Sequence, residues 1–396
     1  MTDATNDLED QALRSQFGEN DWDNYKPDRI SIDEAKSDSI SIETLILPKE
    51  GIYFNMPEAD YHALPYFSRS FAEEVNFDLE EAEYRLTNPV VQTDAMALGT
   101  AIHSMFLEEK TFNDIYVRHP NYSDFVGKKI LKTSEDIQEF LVSVGERKTG
   151  KKEELIARAK PWIDPRHFVI WDEEIAKFNE KVEREGKRVL NNDDFETMKG
   201  LRESFAKRNE IKEILAEGYS EVTIIWKDEE TGIMCKCRLD RIRPEAIGEV
   251  KSFSVKNKKK SLFEYLFKEI VYNSYNLQFA VYQEAVETII KRIRCNKAKV
   301  YGEVDKVWLE KFLENSQKQF FILFVRTAAP YQMKAIELEK KATGTPHEYY
   351  NIARDIWRAA LKKYAKAKET GIWRERELET LDDIHVPSVV YQAPIY

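Results

Sequence analysis

The chain has 396 residues, of which 42% are hydrophobic and 33% charged, with a formal net charge of −11. Such a chain can bury a large core in one or two domains, and it is neither fibrous nor membrane-spanning, since no apolar run approaches the roughly 20 residues that cross a bilayer. The three cysteines (Cys235, Cys237, Cys295) are too few for a disulfide framework and the acidic N-terminus lacks an apolar leader, so a cytoplasmic protein is expected.

Residues 1–48 are polar and acidic, and they are predicted to form a disordered tail. Within residues 1–50 there are 13 acidic and 5 basic side chains, so −8 of the net charge falls there and only −3 on the remainder. A nearly neutral body with local basic patches can still bind a polyanion. The folded region, 49–396, begins near Gly51. A helix is expected after Ser68 or Ser70. "TDAMALGTAIHSMFLEE" predicts a long, mostly buried helix with Ala97, Ala101, Ile102, Met105 and Phe106 at helical spacing.

Residues 113–170 look like an insertion, and within it 127–160 is rich in lysine. Two short helical patterns lie there, the first with Thr133 or Ser134 as a candidate N-cap. This module resembles SAP-type DNA-binding elements, so Lys151 and Lys152 are candidate DNA contacts. Its linker, Gly145 to Lys152, has the glycine and lysine spacing of a phosphate loop. However, Lys152 stands where a magnesium-binding Ser or Thr is required, and a helix is expected where that motif needs a strand. No ATP site is expected.

Residues 172–217 read as helical, with Gly218 as the stop. From 220 to 254 the pattern becomes strand, turn, strand, turn, strand, with Ile233–Asp240 and Ile247–Ser252 as the second and third strands. A lysine run at 256–260 follows, then a helix through "YNLQFAVYQEAVETIIKRI", a strand at "QFFILFVRT" and a helix ending near Gly371. Lys256, Lys258, Lys259 and Lys260 are candidate phosphate contacts, whose blander reading is a solvated turn.

Period-two alternation puts Glu249 and Lys251 on one face of the third strand, with Val250 turned to the other. Antiparallel pairing would bring Asp240 beside Glu249. Two adjacent carboxylates repel unless a cation lies between them, and Mg²⁺, with Mn²⁺ as a substitute, prefers such oxygens and accepts phosphate in its remaining positions. A lysine beside them could orient or deprotonate the attacking water and neutralise charge developing on the phosphate. The chemistry would be metal-dependent phosphodiester hydrolysis. Taken alone, this spacing also suits a solvated sheet face.

Gly99 and His103 lie one helical turn apart, with the glycine expected to permit close packing. Gln278 and Tyr282 share a helix face. In this order the residues resemble the RecB-like branch of the PD-(D/E)XK nucleases, whose motifs appear as Gly99 to His103, Glu221, Asp240, Glu249-Val250-Lys251 and Gln278 to Tyr282. The segments "SEVTIIWKDEETGIMCKCRLD" and "FFILFVRTAAPYQM" are similar to those of RecE-type, exonuclease VIII-like prophage proteins. The resemblance implies an α/β fold, a restriction-endonuclease-like mixed sheet flanked by helices.

It further implies metal binding by His103, Glu221, Asp240, Glu249 and the Val250 carbonyl. Lys251 would serve the nucleophilic water, and Gln278 and Tyr282 would position phosphate or Lys251. The activity implied is a Mg²⁺-dependent exodeoxyribonuclease digesting linear double-stranded DNA from 5′ to 3′. Such an enzyme would act on DNA ends as a ring-shaped homo-oligomer and pass its overhang to a RecT-type annealing protein. Three cysteines, two of them alternating on one strand, do not match the four that hold an iron–sulfur cluster in some relatives, so no cluster is expected. A DNA endonuclease and a non-catalytic DNA-binding protein are the competing readings.

Overall fold

The computed structural model describes residues 47–88, 93–255, 261–338 and 345–374. The candidate phosphate contacts Lys256, Lys258, Lys259 and Lys260 and the acidic tail lie outside these residues. The chain divides into two compact units. The first takes the described residues before 93, then 209–325 and those from 333 onward; the second takes 93–208 and 326–332.

The first unit is built on a seven-stranded mixed sheet. Its strands are β1 (Gly51–Tyr53), β2 (Tyr219–Lys227), β3 (Met234–Ile242), β4 (Ala246–Phe253), β5 (Lys299–Tyr301), β6 (Gln319–Arg326) and β7 (Met333–Glu337), in the spatial order β7-β6-β4-β3-β2-β1-β5. The helices that bear on the site are α1 (Glu58–Ala63), α2 (Arg69–Phe77), α3 (Leu262–Tyr272), α4 (Tyr275–Arg294) and α5 (Thr345–Thr370). This is the α/β, restriction-endonuclease-like mixed sheet flanked by helices that the motifs imply.

Strands β2 and β3 form a long antiparallel hairpin. Its turn is closed by Asp228, whose carboxylate accepts from the Thr231 N–H at 2.8 Å, and by Gly232 at φ 71°. That left-handed position favours glycine because it has no Cβ to clash. Val222, Ile224 and Trp226 of β2 and Cys235, Cys237 and Leu239 of β3 alternate onto one face and are buried in the main core with α4 and α5. Burial pushes both thiols upward in pKa.

The alternate residues face the other way. Met56 and Leu64, which flank α1, pack there with Ile225 of β2. Lys236 of β3 reaches across to donate to the carbonyls of Tyr61 at 2.8 Å and Leu64 at 2.7 Å. It thereby ties the C-terminal end of α1 to β3.

Strands β3 and β4 are joined by a tight turn, with the Arg243 N–H donating to the Ala246 carbonyl at 2.8 Å. Among the described residues their ladder holds only two pairs, Arg241–Gly248 and Ile242–Ile247. Beyond these the strands part. The strands extend slightly past the expected limits, and the expected helix at α4 and the strand at β6 are both present. Gly218 is not a helix stop, since the preceding helix ends at Leu215. It instead admits close backbone approach, because a Cβ there would sit 2.4 Å from the Ile242 carbonyl oxygen.

In the second unit, Thr93 caps the helix Asp94–Leu107, in which Ala101, Ile102, Met105 and Phe106 are buried. Ala97, expected on the buried face, is exposed. The lysine-rich segment forms the helices Ser134–Ser143 and Lys152–Ala159, the first opened by a Thr133 capping box. Ile137, Phe140, Leu141 and Leu155 pack together beside the strands Lys129–Leu131 and Phe168–Ile170. A helix therefore precedes the Gly145–Lys152 linker. Lys152 forms an ion pair with Asp172 at 2.6 Å, and Lys151 is the N-cap of the second helix. The stretch 172–217 is not continuously helical. Gly186, at φ 63°, ends the helix Trp171–Glu185, and Arg188–Leu190 then pairs as a strand with Tyr116–Arg118.

Candidate metal centre

The site forms where β3 and β4 part. The β2–β3 register places Ser220 opposite Arg241 and Val222 opposite Leu239, so Glu221 lies across from Asp240. One step beyond the Arg241–Gly248 pair, Asp240 lies across from Glu249. Three carboxylates thus form a row across β2, β3 and β4. Glu221 and Asp240 each offer an oxygen within 4.8 Å of the other's.

Glu221 has φ 56°, a left-handed conformation that a residue with a Cβ adopts at a cost of roughly 1–3 kcal/mol. The Glu221–Asp240 pair is missing from an otherwise regular ladder. The Arg238 guanidinium holds the Glu221 carboxylate, donating through Nε at 2.6 Å.

Parting strands leave backbone groups without ladder partners, and buried groups of this kind must be satisfied elsewhere. Here the site side chains satisfy them. The Val250 N–H donates to Asp240 Oδ2 at 2.9 Å. The Tyr282 hydroxyl donates to the Arg238 carbonyl at 2.7 Å. Through the same gap Gln278 Nε2 donates to Glu249 Oε1 at 2.6 Å and meets the Tyr282 hydroxyl at 2.7 Å. The helical spacing of Gln278 and Tyr282 puts both on the sheet-facing side of α4, where they are 6% exposed.

Lys251 Nζ donates to Glu249 Oε1 at 2.6 Å, so these two side chains share a face as the alternation predicts. The ammonium also lies 5.2 Å from the centre of the Tyr275 ring, on the first turn of α4. Burial acts to lower the Lys251 pKa, but Glu249 and Asp240 outweigh it and the net shift is upward. The neighbouring carboxylates thus favour the charged form of Lys251, which suits it to neutralising charge and orienting water.

The electrostatics favour a bound cation. Burial, reinforced by the Glu249 carboxylate, pushes the Asp240 pKa well above its ordinary value. Glu249 is 1% exposed, and its Oε2 is buried without a hydrogen-bond partner among the described residues. A buried carboxylate oxygen with no donor, beside a second carboxylate, is an arrangement that a hard divalent cation satisfies. The donor set therefore fits Mg²⁺ or Mn²⁺.

Asp240, Glu249, Lys251, Gln278, Tyr282 and Glu221 are accordingly brought together in the first unit. Val250 contributes its N–H to Asp240. His103 is half-buried on the helix Asp94–Leu107 of the second unit. At Gly99, expected to permit close packing, a Cβ would meet nothing within 4 Å among the described residues.

Three residues were not singled out in the sequence. Arg238 precedes Asp240 by two on one strand, so strand alternation could have placed it on the site face. Tyr275 precedes Gln278 by three on one helix, a spacing that also shares a face. Tyr61, whose hydroxyl pKa burial pushes upward and whose ring lies 5.9 Å from the Arg238 guanidinium, carries no sequence signal because α1 is brought to the site only by the fold.

A mixed sheet whose central strands part around an Asp, a Glu-x-Lys and a helix-borne Gln and Tyr has PD-(D/E)XK superfamily architecture. Comparison with known families agrees: residues 67–377 match the family described as a PDDEXK-like domain of unknown function (DUF3799), and the chain belongs to it. No curated protein matches the sequence. A solved structure from Eubacterium rectale, described provisionally as an exonuclease, aligns over 86% of this chain and 99% of its own at 12% identity and a TM-score of 0.43. Among the described residues no helix is long and apolar enough to cross a membrane.

Proposed function

We propose that this protein is a divalent-metal-dependent nuclease of the exodeoxyribonuclease type, acting on linear double-stranded DNA. The observation that carries this reading is the convergence of Glu221, Asp240, Glu249 and Lys251 at the opened β3–β4 seam. Glu221, Asp240, Glu249 and the Val250 carbonyl would hold the cation, with His103 completing the set on the strength of the Gly99–His103 motif. When bound, Mg²⁺ would offset the carboxylate charge and supply Lewis acidity toward a phosphodiester. Lys251 orients the attacking water and neutralises charge developing on the phosphate. Gln278 fixes the Glu249 carboxylate, and Tyr282 fixes the β3 backbone that carries Asp240.

The finer features rest on the RecE-type resemblance: 5′ to 3′ digestion, a ring of subunits around the duplex and transfer of the 3′ overhang to a RecT-type annealing protein. Lys256, Lys258, Lys259 and Lys260 would contact phosphate beside the site. Lys151 and Lys152 would do so from the second unit, Lys152 by exchanging its Asp172 partner.

The test is digestion of end-labelled linear duplex and of covalently closed circular DNA, with Mg²⁺ or with a chelator. The expected result is Mg²⁺-dependent loss of linear DNA from the 5′ strand end, with the circle intact and with Asp240→Asn inactive. Efficient cutting of the circle would make the protein an endonuclease. Undiminished digestion by Asp240→Asn would remove the proposed site altogether, and no digestion under any condition would leave a non-catalytic DNA-binding protein.

A further inference from the structure

The contacts of Arg238 exceed what a strand residue needs for packing. Its guanidinium donates to Glu221 Oε2 at 2.6 Å, to the Met56 carbonyl at 2.8 Å and to Thr223 Oγ1 at 3.2 Å. Its own carbonyl accepts from the Tyr282 hydroxyl. The side chain is 14% exposed, so these bonds form with little competition from water. Met56 lies at the start of the segment leading into α1, which Lys236 also ties to β3.

The partner it holds is the strained one. Glu221 occupies its left-handed conformation within β2, and its carboxylate offers an oxygen within 4.8 Å of one from Asp240. A flexible glutamate freed of its partner would sample other rotamers. A planar guanidinium, anchored at its far edge by a backbone carbonyl and a threonine hydroxyl, fixes one of them.

From this geometry we infer that Arg238 is a positioning residue for metal capture, acting through Glu221. The inference rests on the nuclease reading above, because it assigns Glu221 to the cation. Partners of this kind, which hold a ligand without touching the metal, change metal affinity by about 10–100-fold when removed. The ion pair does not exclude a metal, since a carboxylate can donate one oxygen to a cation while the other accepts from arginine.

The test is a double-mutant cycle read by calorimetric titration with Mn²⁺, using the full chain, R238M, E221Q and R238M/E221Q. R238M is expected to weaken Mn²⁺ binding about tenfold or more, while adding it to E221Q weakens binding no further. Cleavage of linear duplex by R238M should recover toward the unaltered rate as Mn²⁺ is raised, moving the metal requirement rather than the maximal rate. Equal losses in both backgrounds would make Arg238 a general strut, and unchanged or tighter binding would make it a competitor of the metal; either overturns the inference. If R238M fails to fold, R238K, which keeps the charge but loses the planar fork, takes its place in the same cycle. An unaltered chain that binds no Mn²⁺ would overturn the nuclease reading, and this inference with it.

Discussion

At the scale of single residues, the site is organised by the conflict between Asp240 and Glu249. Asp240 has its pKa raised by burial and by its neighbour, so the metal-free folded state holds a proton that the unfolded chain, with an Asp pKa of about 3.9, releases at lower pH. The sign follows from linkage. The folded state binds more protons above the unfolded pKa, so stability is fully present below it and declines as pH rises through the folded value. With a chelator present, urea unfolding of the unaltered protein should show stability falling as pH rises above about 4, the unfolded Asp value. Asp240→Asn should remove that component, and identical slopes in the two proteins would refute the assignment. Gly99 makes a second case. Among the described residues nothing within 4 Å would obstruct a Cβ there, and glycine within a helix costs roughly 0.5–1 kcal/mol relative to alanine. Gly99→Ala should therefore stabilise the protein by about that much. If the open space beside His103 is where substrate passes, digestion should fall as stability rises; unchanged digestion would make the glycine incidental.

At the scale of elements, the decisive feature is that β3 and β4 separate after two pairs while α4 fills the gap from the core side. Tyr282 has two tasks, satisfying the Arg238 carbonyl and meeting Gln278. Tyr282→Phe would leave a backbone carbonyl and an amide without their hydroxyl partner, a loss of about 1–2 kcal/mol measurable by denaturant unfolding. Digestion should fall further than that loss explains, because Gln278 also orients Glu249; activity tracking stability alone would argue against it. Much at this scale was legible beforehand. The β2–β3 hairpin, the α4 periodicity and the Glu249–Lys251 alternation are all local patterns, and each reappears. The break at Gly186 leaves little trace in the pattern because the run "EREGKRVL" is short, and Arg188–Leu190 becomes a strand only by pairing with the distant Tyr116–Arg118. The α3 helix is likewise hidden in the sequence beside the lysine run. Tyr61 and the parting of the strands were unreadable for the same reason: both depend on contacts between segments far apart in sequence.

At the scale of the whole molecule, charge is distributed unevenly, with most of the net −11 in the first 50 residues. The duplex binding proposed above would then rely on local cations in the remainder, and each phosphate neutralised would contribute a slope of about −0.9 in log affinity against log salt. Replacing Lys258, Lys259 and Lys260 together by glutamine should flatten the slope by as much as about 2.7 if all three contact phosphate. An unchanged slope would assign the run to a solvated turn. The same measurement on Lys152→Gln tests whether its Asp172 ion pair leaves it free to act.

The way the β3–β4 seam is closed also bears on how an inactive form of this protein should be built. Asp240 and Tyr282 are at once site groups and surrogate rungs of the ladder, so truncating either to alanine removes chemistry and backbone pairing together. Asparagine at 240 keeps an oxygen for the Val250 N–H while discarding the charge. A trapped complex with DNA is therefore best sought with that isosteric exchange, which silences the centre without loosening the strand that carries it.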